Sequence, residues 1–279
     1  MSAVTAPGGR RALGGARGLR VLGITALSEF LSPNRMTAVA VRLAVQLFLV
    51  VCLWRALYTD TTISVGLTKE QAVGYAVLAM LALRLREANR WGARDTVLQH
   101  IELGTIVYWF LRPQSARRYY FLRAVGDQLY GFAWALAGYV ICLAVGVLPL
   151  PASAGAALAF AVSFLLGQAT LYYLTLLTDQ LCFWTIRNNA AVDILKFAMN
   201  LLSGAYAPLW FFPGWFRVMS AALPFQSTMN VPLSFYIGRL RPADLPAQLA
   251  LQAAWVLALA LLTRLLWRRV TDRVVSQGG

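Results

Sequence analysis

Apolar residues along this chain gather in long blocks separated by short charged stretches. A hydrocarbon slab of about 30 Å demands ~20 residues of helix. Six blocks approach that length, at 37–58, 69–86, 125–148, 153–177, 190–211 and 246–267. The second is the weakest, with Arg84 and Arg86 at its end. Two other stretches are amphipathic without being long enough to cross. Residues 18–35 space Leu19, Leu22, Leu27, Phe30 and Leu31 around one face, with Arg20, Glu29 and Arg35 off it. That pattern predicts a helix lying in the membrane interface, or a simple lead-in to the first crossing. The segment 87–122 mixes Val97, Ile101 and Ile106 with charges and stops being helical near Leu111, ahead of Pro113. A connection this long is expected to carry short helices and a function.

The block that follows the fifth crossing breaks the pattern. "SGAYAPLWFFPGWFRVMSAALPFQ" at 203–226 is apolar, yet it holds Pro208, Pro213 and Pro224 together with Gly204 and Gly214. A straight crossing helix does not tolerate that density of breakers. The fifth helix should kink near Ser203 and end by Pro208. Residues 209–235 should then dip into the outer leaflet and return, as a re-entrant hairpin packed on other helices. Trp210, Phe211, Phe212, Trp215 and Phe216 suit the interfacial aromatic belt, so an ordinary aromatic loop is the competing reading.

Charge sets the orientation. With the N-terminus inside, nineteen Lys and Arg residues fall on the cytoplasmic side and five outside. Such a bias places both termini in the cytoplasm and requires an even number of crossings. The net charge of +14 therefore reflects orientation and anionic lipid, not nucleic acid. Arginine outnumbers lysine 23 to 2, a skew that points to a GC-rich bacterial genome and so to a bacterial cytoplasmic membrane. The start "MSAVTAPGGRRALGGARG" lacks the apolar core of a signal peptide and reads as a flexible basic tail over 1–17. The organisation expected is that tail, an interfacial helix at 18–35, and a six-span domain over 36–270.

Catalytic chemistry is sparse. No G-x-x-x-x-G-K-[ST] or G-x-G-x-x-G occurs, and His100 is the lone histidine, in a polar connection. Cys52, Cys142 and Cys182 have no metal-ligand spacing and read as packing residues, so no metal or cofactor is expected in this chain. Asp127, Asp179 and Asp193 lie at or past crossing ends, and Arg42 can snorkel to the inner interface. Ion coupling through a midplane carboxylate therefore has little support. Asn200, Ser203 and Tyr206 fall along one side of a continuous fifth helix. With Tyr75 they are candidates to line a path for an amphipathic cargo, the alternative being polar glue between helices.

The arrangement and two local stretches resemble a known family. "ELGTIVYWFLRPQSARRYYFLRAVGDQL" (102–129) and "CFWTIRNNAAVDILKFAMNLLSGAYAPLWFFPGWFRVMSAALPFQSTMNVPLSFYIGRL" (182–240) are similar to stretches of ABC-2 type exporter permeases, in the subgroup that includes viologen and drug exporters. The matching positions include Phe183, Trp184, Ser203, Gly204, Pro208, Leu209, Phe212, Pro213, Trp215, Leu223, Pro224, Phe225, Pro232 and Gly238. The resemblance implies an all-α permease of six helices driven by two copies of a separate cytoplasmic ATPase that binds ATP and Mg. It also implies a second permease as a homo- or heterodimer. A coupling helix between spans two and three would dock on the ATPase, with Glu87, Asn89, Arg90, Trp91, Arg94, Asp95 and Glu102 as candidates. Pro208, Phe212, Pro213, Trp215, Pro224 and Phe225 would form the outer gate. An ion-coupled transporter and a non-transporting immunity or scaffold protein are the competing classes.

Overall fold

A computed structural model of the chain describes residues 33–57, 68–87, 100, 103–105, 108, 116–181, 183 and 189–277. Among the described residues every regular element is helical. The long helices are α1 (Pro33–Leu57), α2 (Lys69–Glu87), α3 (Ala116–Ala144), α4 (Ala154–Leu181), α5 (Asn189–Leu202) and, last, α8 (Leu245–Gln277). Between α5 and α8 lie only α6 (Gly214–Ala221), α7 (Asn230–Tyr236) and three single 3₁₀ turns.

Local chemistry starts two of the helices. Thr68 and Gln71 form a capping box on α2: the Gln71 N–H donates to Thr68 Oγ1 at 3.2 Å, and the Thr68 N–H donates to Gln71 Oε1 at 3.1 Å. Ser153 caps α4 by accepting the Ala156 N–H at 3.0 Å.

The helices pack as two groups. In the first, α2 lies between α1 and α3. Every residue from Ala72 to Ala82 is buried, which makes α2 the most enclosed of the long helices. Leu43 of α1, Leu78 and Leu81 of α2, and Ala135 and Cys142 of α3 share one apolar cluster. In the second group, α8 runs along α4. The segment between α5 and α8 joins the groups, because α7 touches both α2 and α4.

Among the described residues, three helices are long and apolar enough to cross a membrane, over Met36–Leu57, Ala154–Leu181 and Pro242–Trp267. The outward sides of α1 and α8 carry the exposed apolar surface that lipid requires, including Val45, Phe48 and Leu49 on one and Leu257, Leu261 and Leu265 on the other. The other three expected crossings coincide with α2, α3 and α5. Here α2 is 19 residues long but bears Lys69, Glu70, Arg84, Arg86 and Glu87, while α5 has only 14 residues. Several boundaries differ from expectation. Helix α3 begins at Ala116 rather than 125, because its first turns are a charged extension carrying Arg117, Arg118 and Arg123. Helix α8 runs to Gln277 rather than 267. The tail at 1–17 and most of the helix expected at 18–35 lie outside the described residues, although α1 already begins at Pro33.

Candidate functional site

The proline-rich stretch folds as a chain of short pieces. Gly204 ends α5 with φ +78°, in the left-handed region that favours glycine. Its N–H donates to Leu201 O at 3.2 Å, and the Ala205 N–H donates to Asn200 O at 3.1 Å, a Schellman closure of the helix. The fifth helix therefore stops at Leu202, ahead of the end expected by Pro208. Each proline then stands at or just before the start of a new piece, where its missing N–H leaves no bond unmade. Pro208 precedes the turn Leu209–Phe211, Pro213 precedes α6, and Pro224 opens the turn Pro224–Thr228. From Leu202 to Leu245 no helix exceeds eight residues, far below the ~20 needed for a crossing.

Buried polar contacts fix these pieces to the long helices. Tyr75 of α2 is fully enclosed. Its hydroxyl donates to Gly204 O at 3.0 Å and lies 3.3 Å from Asn230 Oδ1. Its ring meets Trp210 edge-on at 4.9 Å, and the Arg239 guanidinium sits 4.6 Å over the same indole. The Asn230 N–H donates to Ser203 O at 3.1 Å, and Ser220 Oγ donates to Leu202 O at 2.6 Å, so the stretch folds back on the end of α5. One turn before Tyr75, Gln71 Nε2 donates to Ile237 O at 2.9 Å. Trp54 of α1 meets Phe211 at 5.6 Å.

On the other side stands Gln252 of α8, fully enclosed. Its Nε2 donates to Ser227 O at 2.9 Å and to Ser163 Oγ at 3.0 Å, while its Oε1 accepts from Ser163 Oγ at 3.2 Å. Beside it, Gly167 of α4 lets the turn approach so closely that a Cβ there would stand 2.7 Å from Ser227 O. Tyr236 closes the far end, sharing a hydroxyl contact with Tyr139 at 3.1 Å and donating to Pro149 O at 2.9 Å.

The expected path residues separate into two kinds. Tyr75 and Ser203 are buried within the chain, where Ser203 Oγ donates to Asn200 O at 2.9 Å. Asn200 is half-buried and Tyr206 half-exposed. Because α5 ends at Leu202, Tyr206 lies beyond the helix rather than along it, yet Asn200 Nδ2 still reaches its hydroxyl at 3.3 Å. Tyr206 also packs on Phe197 at 5.6 Å.

The six gate residues all fall on the broken stretch. Pro208 and Pro224 are buried, and Pro213 is exposed. Phe212 stacks on Phe216 at 4.5 Å, and Phe225 packs against the cluster of Leu174, Met199 and Leu259. Trp215 is 69% exposed. Of the coupling residues, Glu87 closes α2, while Asn89, Arg90, Trp91, Arg94, Asp95 and Glu102 lie outside the described residues. His100 places Nδ1 2.7 Å from Thr105 Oγ1. Of the cysteines, Cys142 is buried and Cys52 exposed. No three His, Cys, Asp or Glu side chains gather into a metal set among the described residues.

Sequence reasoning missed Gln252, Ser163, Gly167 and Gln71. A usable signal existed for the first three. A polar or small residue inside an otherwise apolar block belongs at a helix contact, since lipid offers it nothing.

A search among curated proteins and solved structures returned no match. The sequence profile of the ABC-2 family transporter protein matches residues 43–278, from within α1 past the end of α8 and including the whole broken stretch. The chain therefore belongs to the ABC-2 transporter family: it is an integral membrane protein, the membrane part of a transporter whose family implies an ABC ATPase as partner.

Proposed function

We propose that this chain is the permease subunit of an ATP-driven exporter, in which α1, α2, α3, α4, α5 and α8 all cross a bacterial cytoplasmic membrane. Both termini then face the cytoplasm, and the stretch 203–244 sits in the outer leaflet as a re-entrant hairpin. The observation that carries this reading is that stretch itself. It is too broken to cross, largely apolar, and tied by buried hydrogen bonds to both helix groups. Irregular backbone at membrane depth is tolerated where protein satisfies it, and Tyr75, Asn230, Ser220 and Gln252 supply such partners here.

In this reading the segment 87–122 docks on the ATPase, of which two copies serve a pair of permeases. Asn200 and Tyr206 face the partner permease and line the path, with Phe212 and Trp215 at its outer end. The aromatic, weakly polar lining suits an amphipathic cargo. Three measurements test it. The tagged chain should co-purify from its own membrane with a P-loop ATPase, and inside-out vesicles of that complex should take up a lipophilic fluorescent dye only with ATP. A Ser276→Cys variant, on a background freed of the three native cysteines, should resist impermeant maleimide added outside intact cells. Labelling there would make the crossing number odd and refute the topology.

A further inference from the structure

One of the long helices that touch the hairpin, α2, is also the one that leads into the cytoplasmic segment. Helix α2 runs unbroken from Lys69 to Glu87, a rod of roughly 28 Å at ~1.5 Å per residue. One end opens into the stretch after Glu87, which the proposed function assigns to the ATPase. The other end grips the hairpin at three separated points. Tyr75 contacts Gly204 and Asn230, at the end of α5 and the start of α7. Gln71 holds Ile237, just past the end of α7. The Tyr75 hydroxyl has one proton, which serves the shorter contact to Gly204 O; Asn230 shares that proton or, with its amide turned over, donates Nδ2–H to the hydroxyl. Either way one oxygen ties together two parts of the hairpin that are distant in sequence.

We infer that Tyr75 is a positioning residue that makes the hairpin follow α2, so that displacement at the cytoplasmic end is delivered to the outer face. The inference rests on the permease reading. Its distinctive claim is that the hydroxyl, not the bulk of the ring, carries the coupling. Tyr75→Phe keeps the ring on Trp210 and removes only the bridge. Asn230→Ala removes the same bridge from the hairpin side. Ser220→Ala deletes a comparable hydrogen bond that does not involve α2.

The test uses the purified permease–ATPase complex in vesicles, on a cysteine-free background with Val218→Cys as reporter, since Val218 is 72% exposed on α6. Labelling by impermeant maleimide is timed without nucleotide and after trapping with ATP and vanadate. The expected result is a several-fold change between the two states in the parent and in Ser220→Ala. The change should collapse in Tyr75→Phe and Asn230→Ala, with the ATPase still bound and hydrolysing. A full change in Tyr75→Phe overturns the inference and leaves the permease reading standing. A collapse in Ser220→Ala as well overturns it too, since any loosening of the hairpin would then suffice. If Tyr75→Phe does not assemble, Asn230→Ala decides by the same criterion. No nucleotide response in the parent overturns the permease reading itself, and this inference with it.

Discussion

Replacing Gly167 by alanine asks how tightly the hairpin is seated on α4. The added Cβ would stand 2.7 Å from Ser227 O, 3.3 Å from Thr228 Cα and 3.4 Å from Thr228 O. All three are backbone atoms of one turn, so no side chain can swing aside and the turn itself must shift. Overpacking of this kind costs about 1–3 kcal/mol. The displaced carbonyl is the one that accepts from Gln252 Nε2, so a hydrogen bond worth about 1 kcal/mol is lost as well. Alanine returns roughly 0.5–1 kcal/mol through its better helix propensity. The net expectation is a loss of about 1–3 kcal/mol, read by tryptophan fluorescence during denaturant unfolding of the detergent-solubilised protein. Gly138→Ala is the comparison. Its Cβ would come within 2.6 Å of Leu81 Cδ2, but a leucine methyl can rotate away, so the loss should be smaller despite the closer approach. A double-mutant cycle sharpens the argument. Gln252→Leu alone leaves Ser227 O without that donor, and in Gly167→Ala the bond is already broken, so the two losses should overlap by about 1 kcal/mol. Stability unchanged by Gly167→Ala, or losses that add within ~0.5 kcal/mol, would refute the seating of the turn between α4 and α8.

Two further outcomes follow from the same geometry. Gly204→Ala forces an L-residue to φ +78° and brings its Cβ 2.6 Å from the Tyr75 hydroxyl; a loss of about 2 kcal/mol is expected in the same unfolding assay, whereas Gly214→Ala, with no neighbour nearer than 3.9 Å, should be silent. Ala72→Leu makes α2 more apolar but overfills a fully buried site, and should cost about 1–3 kcal/mol; Ala44→Leu, on the exposed side of α1, should be neutral.

The breakers were the most legible feature of the site. Three prolines and two glycines within a short apolar stretch announce that no straight helix runs there, and the structure breaks the chain at each of them. The register of the break was less legible. A kink near Gly204 with the helix persisting to Pro208 looked reasonable, because glycine within a helix is tolerated. What ends α5 at Leu202 is the left-handed turn at Gly204, stabilised by Tyr75 from a helix more than a hundred residues earlier in the chain. Long-range partners of that kind leave no local trace. The anchoring residues were hidden for a related reason. Gln252 is a single polar residue in a leucine-rich block, and its importance depends on Ser163, Gly167 and Ser227 arriving at the same place.

Helix α2 shows where reading crossings from apolar content loses its grip. It is the weakest of the six blocks by composition, yet Ala72 through Ala82 are all buried and even Arg84 is only 7% exposed. The two facts share a cause. A helix that faces lipid must be apolar around its circumference, which is the property that α1 displays with Val45, Phe48, Leu49 and Leu53 turned outward. A helix enclosed by others has no such obligation. It needs small residues that let neighbours approach and polar groups placed where partners can meet them. Ala72, Gly74, Ala76, Ala79 and Ala82 meet the first need, and Gln71 and Tyr75 the second. Low apolar content therefore marks α2 as the enclosed helix, and enclosure is what allows one rod to hold α1, α3 and the hairpin together.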